Sequence, residues 1–273
     1  MAVLTSFAQE EETVEKYTSH NKGKFFVLFG GNTANYTDSD IHFTGNGYDF
    51  TVYDASAHDK PRGWSIDYIN PSRMTIPQTN FELGYFISDH YNIAFKVDHM
   101  KYVMTQYQKA TVSGGINLPD SEPGSQYNGV YASEDVFMTE DFLMFEHTDG
   151  LNYIHLGFSR FDDLTHLISS TINTDVFQIN LTEGVGAGIL FPKTNATLLG
   201  KERHDDFHVS GYGLSADIGL NLTLFKHFFV KGSLKQGYIN MPNIRTTNDP
   251  SDKASQHFIF FERLISFGVI FKI

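Results

Sequence analysis

The chain contains no cysteine, which removes disulfides, thiolate metal sites, thiol nucleophiles and the lipidated N-terminus of a bacterial lipoprotein. Positive charge is scarce as well. Lys and Arg number 20 against 32 Asp and Glu, a formal net charge of -12 over 273 residues. A chain so short of cations has no basic footprint with which to neutralise a phosphate backbone, so nucleic acid is excluded as a partner. Long apolar runs are missing too: nothing approaches the roughly 18 residues of a spanning helix. A helical membrane protein is thereby excluded, but a membrane barrel is not, because its strands show lipid only every second residue.

What the sequence has in plenty is aromatic rings, 25 Phe and 14 Tyr, within an ordinary hydrophobic fraction of 41%. Apolar residues recur with a period of two. In the stretch 208–224, Tyr212, Leu214, Ala216, Ile218, Leu220, Leu222 and Leu224 alternate with Gly211, Gly213, Ser215, Asp217, Gly219, Asn221 and Thr223. A sandwich strand facing bulk water favours long charged side chains on its polar face. Gly, Ser and Asn suit a narrow, crowded lumen instead. The stretch 177–191 repeats the pattern, with Gln178, Asn180, Thr182, Gly184, Gly186 and Gly188 on the polar side. At the C-terminus Ile259, Phe261, Ile265, Phe267, Val269, Phe271 and Ile273 share one phase, and the terminal strand resembles the C-terminal insertion signal of outer-membrane barrels.

Connection lengths give an independent test. Stretches 79–87 and 91–104 are separated by Ser88, Asp89 and His90, and 211–224 meets 228–240 through Phe225, Lys226 and His227. The links 37–77, 106–150, 193–206 and 242–256 are long and rich in Gly, Asn, Asp, Ser and Pro. Short turns alternating with long loops mark a bacterial outer-membrane barrel whose long loops face outward. The stretches 24–36, 79–87, 91–104, 151–161, 177–191, 208–224, 228–240 and 257–273 make eight strands, an even number that puts both termini in the periplasm. The expected fold is therefore all-β: a transmembrane antiparallel up-and-down barrel of eight strands, or ten if the hairpin 41–53, turning at 44–47, enters the wall. Ahead of it, residues 1–8 read as a signal-peptide remnant with Ser6 and Ala8 at the positions signal peptidase prefers, and residues 9–23 as an acidic, polar periplasmic lead-in. Residues 24–273 form the barrel domain.

An eight-stranded interior is just wide enough for side chains. The inward phase carries Glu82, Lys96, Asp98, Asp217, Lys231, Lys235 and Glu262, both signs together, so an ion-pair network is expected to plug the lumen and a general porin is not expected. On the lipid-facing phase stand three ionisable residues, His99, Glu183 and Arg263. Their distance from the periplasmic turns puts them near the outer interface, where they snorkel or touch lipopolysaccharide.

Phe207-His208-Val209-Ser210-Gly211 sets His208 and Ser210 on one side of a strand, where a neighbouring carboxylate would complete a base, nucleophile and orienting acid. The fragment is similar to the His-x-Ser motif of the outer-membrane lipid A 3-O-deacylases, eight-stranded barrels that use an outward-facing His and Ser. This chain continues with Gly211 and Tyr212 where that family has Asn and a small residue. A second set of polar residues lies in the long loops: His42, Asp49, Arg73, His147 and Asp149. No spacing there matches a calcium loop or a zinc site, so no metal and no cofactor is expected, and turn formation accounts for the Gly, Asn and Asp content.

The segments Ser39-Asp40-Ile41-His42-Phe43, Gly47-Tyr48-Asp49-Phe50-Thr51, Asn70-Pro71-Ser72-Arg73, Gly84-Tyr85-Phe86, Asp98-His99-Met100-Lys101-Tyr102-Val103, Glu146-His147-Thr148-Asp149-Gly150-Leu151-Asn152-Tyr153 and Phe207-His208-Val209-Ser210-Gly211-Tyr212-Gly213 together resemble an uncharacterised family of small outer-membrane β-barrel proteins from Bacteroidota. The resemblance runs over residues 24–273 and implies the barrel and its compartment. It assigns no activity. Two expectations follow: an integral barrel presenting outer loops to lipopolysaccharide or an envelope protein partner, or an acyl hydrolase acting on lipid A through His208 and Ser210.

The register itself is testable. Single cysteines placed at Leu214, Ile218, Leu222, Ile189 and Phe267 are expected to react with membrane-restricted probes, and cysteines at Gly213, Asp217, Gly184, Gly188, Lys231 and Glu262 are not. The reverse labelling pattern would mean a register slipped by one residue.

Overall fold

The period of two closes into a ring. The computed structural model describes residues 20–60, 78–169, 171–201 and 206–273. The expected signal remnant, most of the lead-in and the Asn70-Pro71-Ser72-Arg73 segment lie outside the described residues. In chain order the strands are β1 (Phe25–Tyr36), β2 (Ser39–Gly45), β3 (Tyr48–Ala55), β4 (Ala57–His58), β5 (Thr79–Phe86), β6 (Tyr91–Met104), β7 (Lys109–Ile116), β8 (Gly129–Phe137), β9 (Leu143–Asp163), β10 (Phe177–Leu190), β11 (Asn195–Leu198), β12 (Gly211–Leu224), β13 (Phe228–Arg245) and β14 (Lys253–Phe271). Eight of them, β1, β5, β6, β9, β10, β12, β13 and β14, pair antiparallel in that order. β14 then pairs with β1 over the whole of β1, from Phe25↔Phe271 to Tyr36↔Phe260, and the ring is complete.

At the base, β5 meets β6 and β12 meets β13 through the short turns named above. Phe225 and Lys226 both hold positive φ (51° and 64°), the backbone of a primed turn, which His227 N–H closes by donating to the Leu224 carbonyl at 3.1 Å. β9 and β10 are joined there by residues 164–176, which include the one-turn helix α1 (Thr165–Ile168). Outward residues form an apolar belt: Leu156 is 63% exposed, Ile265 62%, Val185 58% and Phe267 58%. Such a continuous ring of bare aliphatic and aromatic side chains is what a barrel wall shows to lipid.

The wall strands are not equal in height. β9 has 21 residues, β14 19 and β13 18, well beyond the roughly 9 to 11 that cross a bilayer. Their upper ends continue into an outer extension of the same sheet: β14 pairs with β2, β2 with β3, β3 with β7 and β7 with β8, while β11 pairs with the top of β9. The hairpin around Thr44–Gly47 therefore stands above the ring, and the wall has eight strands. Three of the links read as polar loops are substantially strand: the described part of 37–77 holds β2, β3 and β4. Within 106–150, Ala110, Val112 and Ile116 of β7 point into a core, and β9 begins at Leu143. Within 242–256, only residues 246–252 turn.

The interior is layered. Lowest is an apolar floor of Phe26, Leu28, Phe86, Ala94, Phe161, Phe229 and Ile270. The seven expected lumen charges lie above it, all buried. Higher still, an aromatic and aliphatic core that includes Phe43, Phe50, Tyr102, Met104, Phe145, Met241 and Phe258 is shared by the wall tops and this outer part of the sheet. The glycines of the polar face make room for the charged layer: a Cβ on Gly157 would lie 2.6 Å from Lys96 Cε, and one on Gly186 2.5 Å from His155 Nδ1.

Candidate functional site

Six wall strands, β5, β6, β9, β12, β13 and β14, aim inward residues at one level of the lumen. Lys96 Nζ lies 3.4 Å from both Glu82 Oε1 and Asp217 Oδ1, and Lys231 Nζ is 3.7 Å from Asp217 Oδ2 and 4.0 Å from Glu82. Lys235 is bonded to Asp98 and stands 3.8 Å from Glu262. His155, an inward residue of β9 that the sequence reading passed over, places Nε2 3.1 Å from Asp98 Oδ2 and stacks its ring on Tyr153 with centroids 4.0 Å apart. Its alternation with Ile154, Leu156 and Phe158 was the signal. An amide ladder feeds the same carboxylate: Asn80 Nδ2 donates to Asp98 Oδ1 at 2.5 Å, and Asn32 Nδ2 donates to Asn80 Oδ1 at 2.8 Å. Gln78 then donates to Asn32 at 3.3 Å and to Asp59 Oδ1 at 2.6 Å. Asp59 also accepts the Ala34 backbone N–H at 2.7 Å, so the stretch that follows β4 is hooked onto the top of the wall. Burial pushes the Asp59 carboxyl above the usual range.

Paired this way, the lumen charges are structural. Charges taken out of water hold only while each has a partner, and breaking one such pair costs about 3 to 5 kcal/mol. Beneath them lies a small cavity of about 20 Å³, lined by Phe26, Glu82, Phe86, Asn92, Phe161 and Lys231 among others, enough for about one water. No group of acids and imidazoles suited to a metal ion occurs among the described residues.

The lipid-facing residues of the sequence reading fall in three different settings. Arg263 is outward and exposed opposite Thr33, where β1 changes from Phe25, Val27 and Phe29 to Thr33 and Asn35, and it donates to Asn35 Oδ1 at 2.8 Å. Glu183 is not at the outer interface. It opposes Arg160, which opposes Tyr91 at the foot of β6, because adjacent strands of a closed barrel are staggered and residue counts along one strand misjudge height. His99 is not exposed to lipid either: only 6% of it is accessible, and Nδ1 lies 2.7 Å from Asn152 Oδ1. The chain leaving β10 runs over this part of the wall, with Phe191 N–H donating to the Asn152 carbonyl and Lys193 N–H to that of Gly150.

Among the loop residues, His42 and Asp49 are brought together across the β2–β3 hairpin at 2.8 Å, on the exposed face. Asp149 is exposed beside Lys193 at 3.6 Å. His147 is no loop residue. It is fully buried in the upper core, 3.0 Å from Thr194 Oγ1, packed between the rings of Tyr102 and Phe145. Burial lowers its pKa to about 3, and burial likewise raises the Tyr102 phenol to about 12, its oxygen accepting from Gln256 Nε2 at 2.6 Å. Arg73 lies outside the described residues. Ser210 is 2% exposed and donates its hydroxyl to the His208 backbone carbonyl at 3.3 Å, while His208 Nε2 sits 3.1 Å from the Asn243 amide nitrogen.

No protein-family profile matches the chain, and no curated protein does. Among solved structures it is similar to the outer membrane protein OprG of Pseudomonas aeruginosa, at 12% identity over 93% of this chain and 99% of that one, with a TM-score of 0.43. It is similar also to the attachment invasion locus protein Ail of Yersinia pestis (10% identity, 92% and 99%, TM-score 0.33) and to Neisserial surface protein A (11%, 92% and 100%, 0.32). The closed ring of eight antiparallel strands with an apolar exterior makes the chain a small β-barrel of the outer-membrane type.

His147 gives the upper core a pH signature. The folded chain keeps this imidazole neutral down to about pH 3, whereas an unfolded one takes its proton near 6.5. The contribution is therefore complete above pH 6.5 and shrinks as pH falls, by about 2 kcal/mol between pH 6.5 and 5. Melting of the native protein is expected to drop over that interval more than melting of His147→Gln. Parallel profiles for the two would contradict it.

Proposed function

We propose that the protein is an integral outer-membrane barrel with a closed, non-conducting lumen, both termini in the periplasm, whose outer sheet is a rigid platform for lipopolysaccharide and for an envelope or surface partner. One observation carries this reading. The tops of β6, β9, β13 and β14 share a single hydrophobic core with β2, β3, β7 and β11, so what emerges from the bilayer is a folded body fixed to the wall rather than a set of loops. Rigid outer strands present side chains at constant spacing, and recognition then proceeds without the ordering entropy of a flexible loop. The segment resemblance to barrels of Bacteroidota belongs to the same reading. The hydrolase reading gains no support from geometry, since the Ser210 hydroxyl is directed to a backbone carbonyl and shielded from solvent.

Conduction tests the closed lumen. With the apolar floor, the ion layer and the upper core in series, the purified protein in a planar bilayer is expected to pass no steady current. A stable open channel would contradict the reading.

A further inference from the structure

Above the membrane belt, the outer face of the β13–β14 hairpin carries two cations in the least favourable arrangement a ladder allows. Arg245 and Lys253 are direct cross-strand partners, exposed on the same face. Side chains so placed start about 5 Å apart at Cβ, and like charges there destabilise the pair. Among the described residues no ion pair offsets this, and Asp49, one strand beyond Thr44 in the same register, is bonded to His42. The carboxylates of the connecting turn are engaged elsewhere: Asp252 accepts from Thr247 at 2.8 Å and pairs with Lys201 at 3.4 Å, and Asp249 accepts from Ser251 at 2.9 Å. Among the described residues, no acceptor is bonded to Arg245 or Lys253. Beside Lys253 in the next strand stands Thr44, a hydroxyl donor.

We propose that Arg245 and Lys253 form a binding site for a phosphate group on the saccharide headgroup of an outer-leaflet glycolipid. Two cations that repel each other when empty are reconciled by one dianion between them, and the Arg fork suits phosphate oxygens. Height selects the saccharide. The outward Tyr212, opposite Asn240, marks the upper edge of the apolar belt. Arg245 is five residues further along β13, about 12 Å higher for a strand tilted about 40°. A diacyl phospholipid carries its phosphate at the belt edge, well below this pair, whereas a phosphorylated sugar headgroup extends up to it. The charge is also local: the chain as a whole is acidic, so the outer surface repels anions except where such cations gather.

The site rests on the outer-membrane reading, and the two are separable in one experiment. Barrel assembly is read first, by heat-modifiable migration and insertion into bilayers. If the native chain fails to insert, the barrel reading falls and the site falls with it. With the inserted protein, binding of a diphosphorylated lipopolysaccharide core glycolipid is compared, by native mass spectrometry, with the same glycolipid dephosphorylated. The native chain is expected to prefer the phosphorylated form by at least about tenfold, and the double variant Arg245→Gln with Lys253→Gln to lose that preference. Lys253→Glu supplies the control against misfolding, because it replaces repulsion by a cross-strand ion pair with Arg245: its melting point should not fall below the native one, yet the preference should vanish. Equal native binding of both glycolipids, an unchanged preference in Lys253→Glu, or full displacement by equimolar inorganic phosphate or phosphatidylglycerol would overturn the proposal.

Discussion

Charged side chains enclosed in a ring of eight strands must satisfy one another, and much of the molecule follows from that constraint. Glu82, Lys96, Asp98, Asp217, Lys231, Lys235 and Glu262 come from five different wall strands and meet at one level. Each strand's register is thereby tied to its neighbours': a slip of one residue would send its charge into lipid and an aliphatic residue into the ion layer. The glycines on the inner faces of β9 and β10 belong to the same constraint, since the space they leave is occupied by Lys96 and by the His155 ring. Removing one cation would leave a bare carboxylate without water, which explains why the layer reads as a single unit rather than as separate bridges.

The same wall carries the outer sheet. Strands long enough to pass through the bilayer and continue for several turns of side chain need something to bury their upper inward faces. They find it in β2, β3, β7 and β11, which close over the lumen with Phe43, Phe50, Phe145 and their neighbours. The polar ladder from Asp59 through Gln78, Asn32 and Asn80 to Asp98 joins the two regions, so the ion layer and the outer sheet meet through hydrogen bonds as well as through packing. On the proposed reading, recognition belongs to the outer face, where side chains such as His42, Asp49, Arg245 and Lys253 stand at spacings set by the ladder.

The strands of the wall were legible because their environment is extreme. With lipid on one side and a crowded lumen on the other, Leu214, Ile218 and Leu222 alternate with Gly213, Asp217 and Asn221 without exception, and the boundaries read from the sequence for β5, β6 and β10 lie within a residue of those observed. The outer sheet was not legible in the same way. In β7 the run Ser113, Gly114, Gly115 carries turn composition although Ala110, Val112 and Ile116 face a core. In β9 a bulge near Gly150, whose φ is 146°, interrupts the phase, so Glu146-His147-Thr148-Asp149-Gly150 looks like a loop while His147 is among the most deeply buried residues. Height around the barrel was misjudged for Glu183 because stagger is a property of the closed ring and cannot be counted along a single strand.

The central claim is that wall and outer sheet are one folded body over a sealed lumen. Native-state hydrogen exchange in bilayers, resolved to β3, β7 and β9, tests it most directly. Amides of Phe50, Val52 and Val112 are predicted to be protected to an extent comparable with those of Tyr153 and His155 in the wall, because they share one core and one set of ladders. Exchange of β3 and β7 at the rate of unstructured loops, with the wall still protected, would contradict the account.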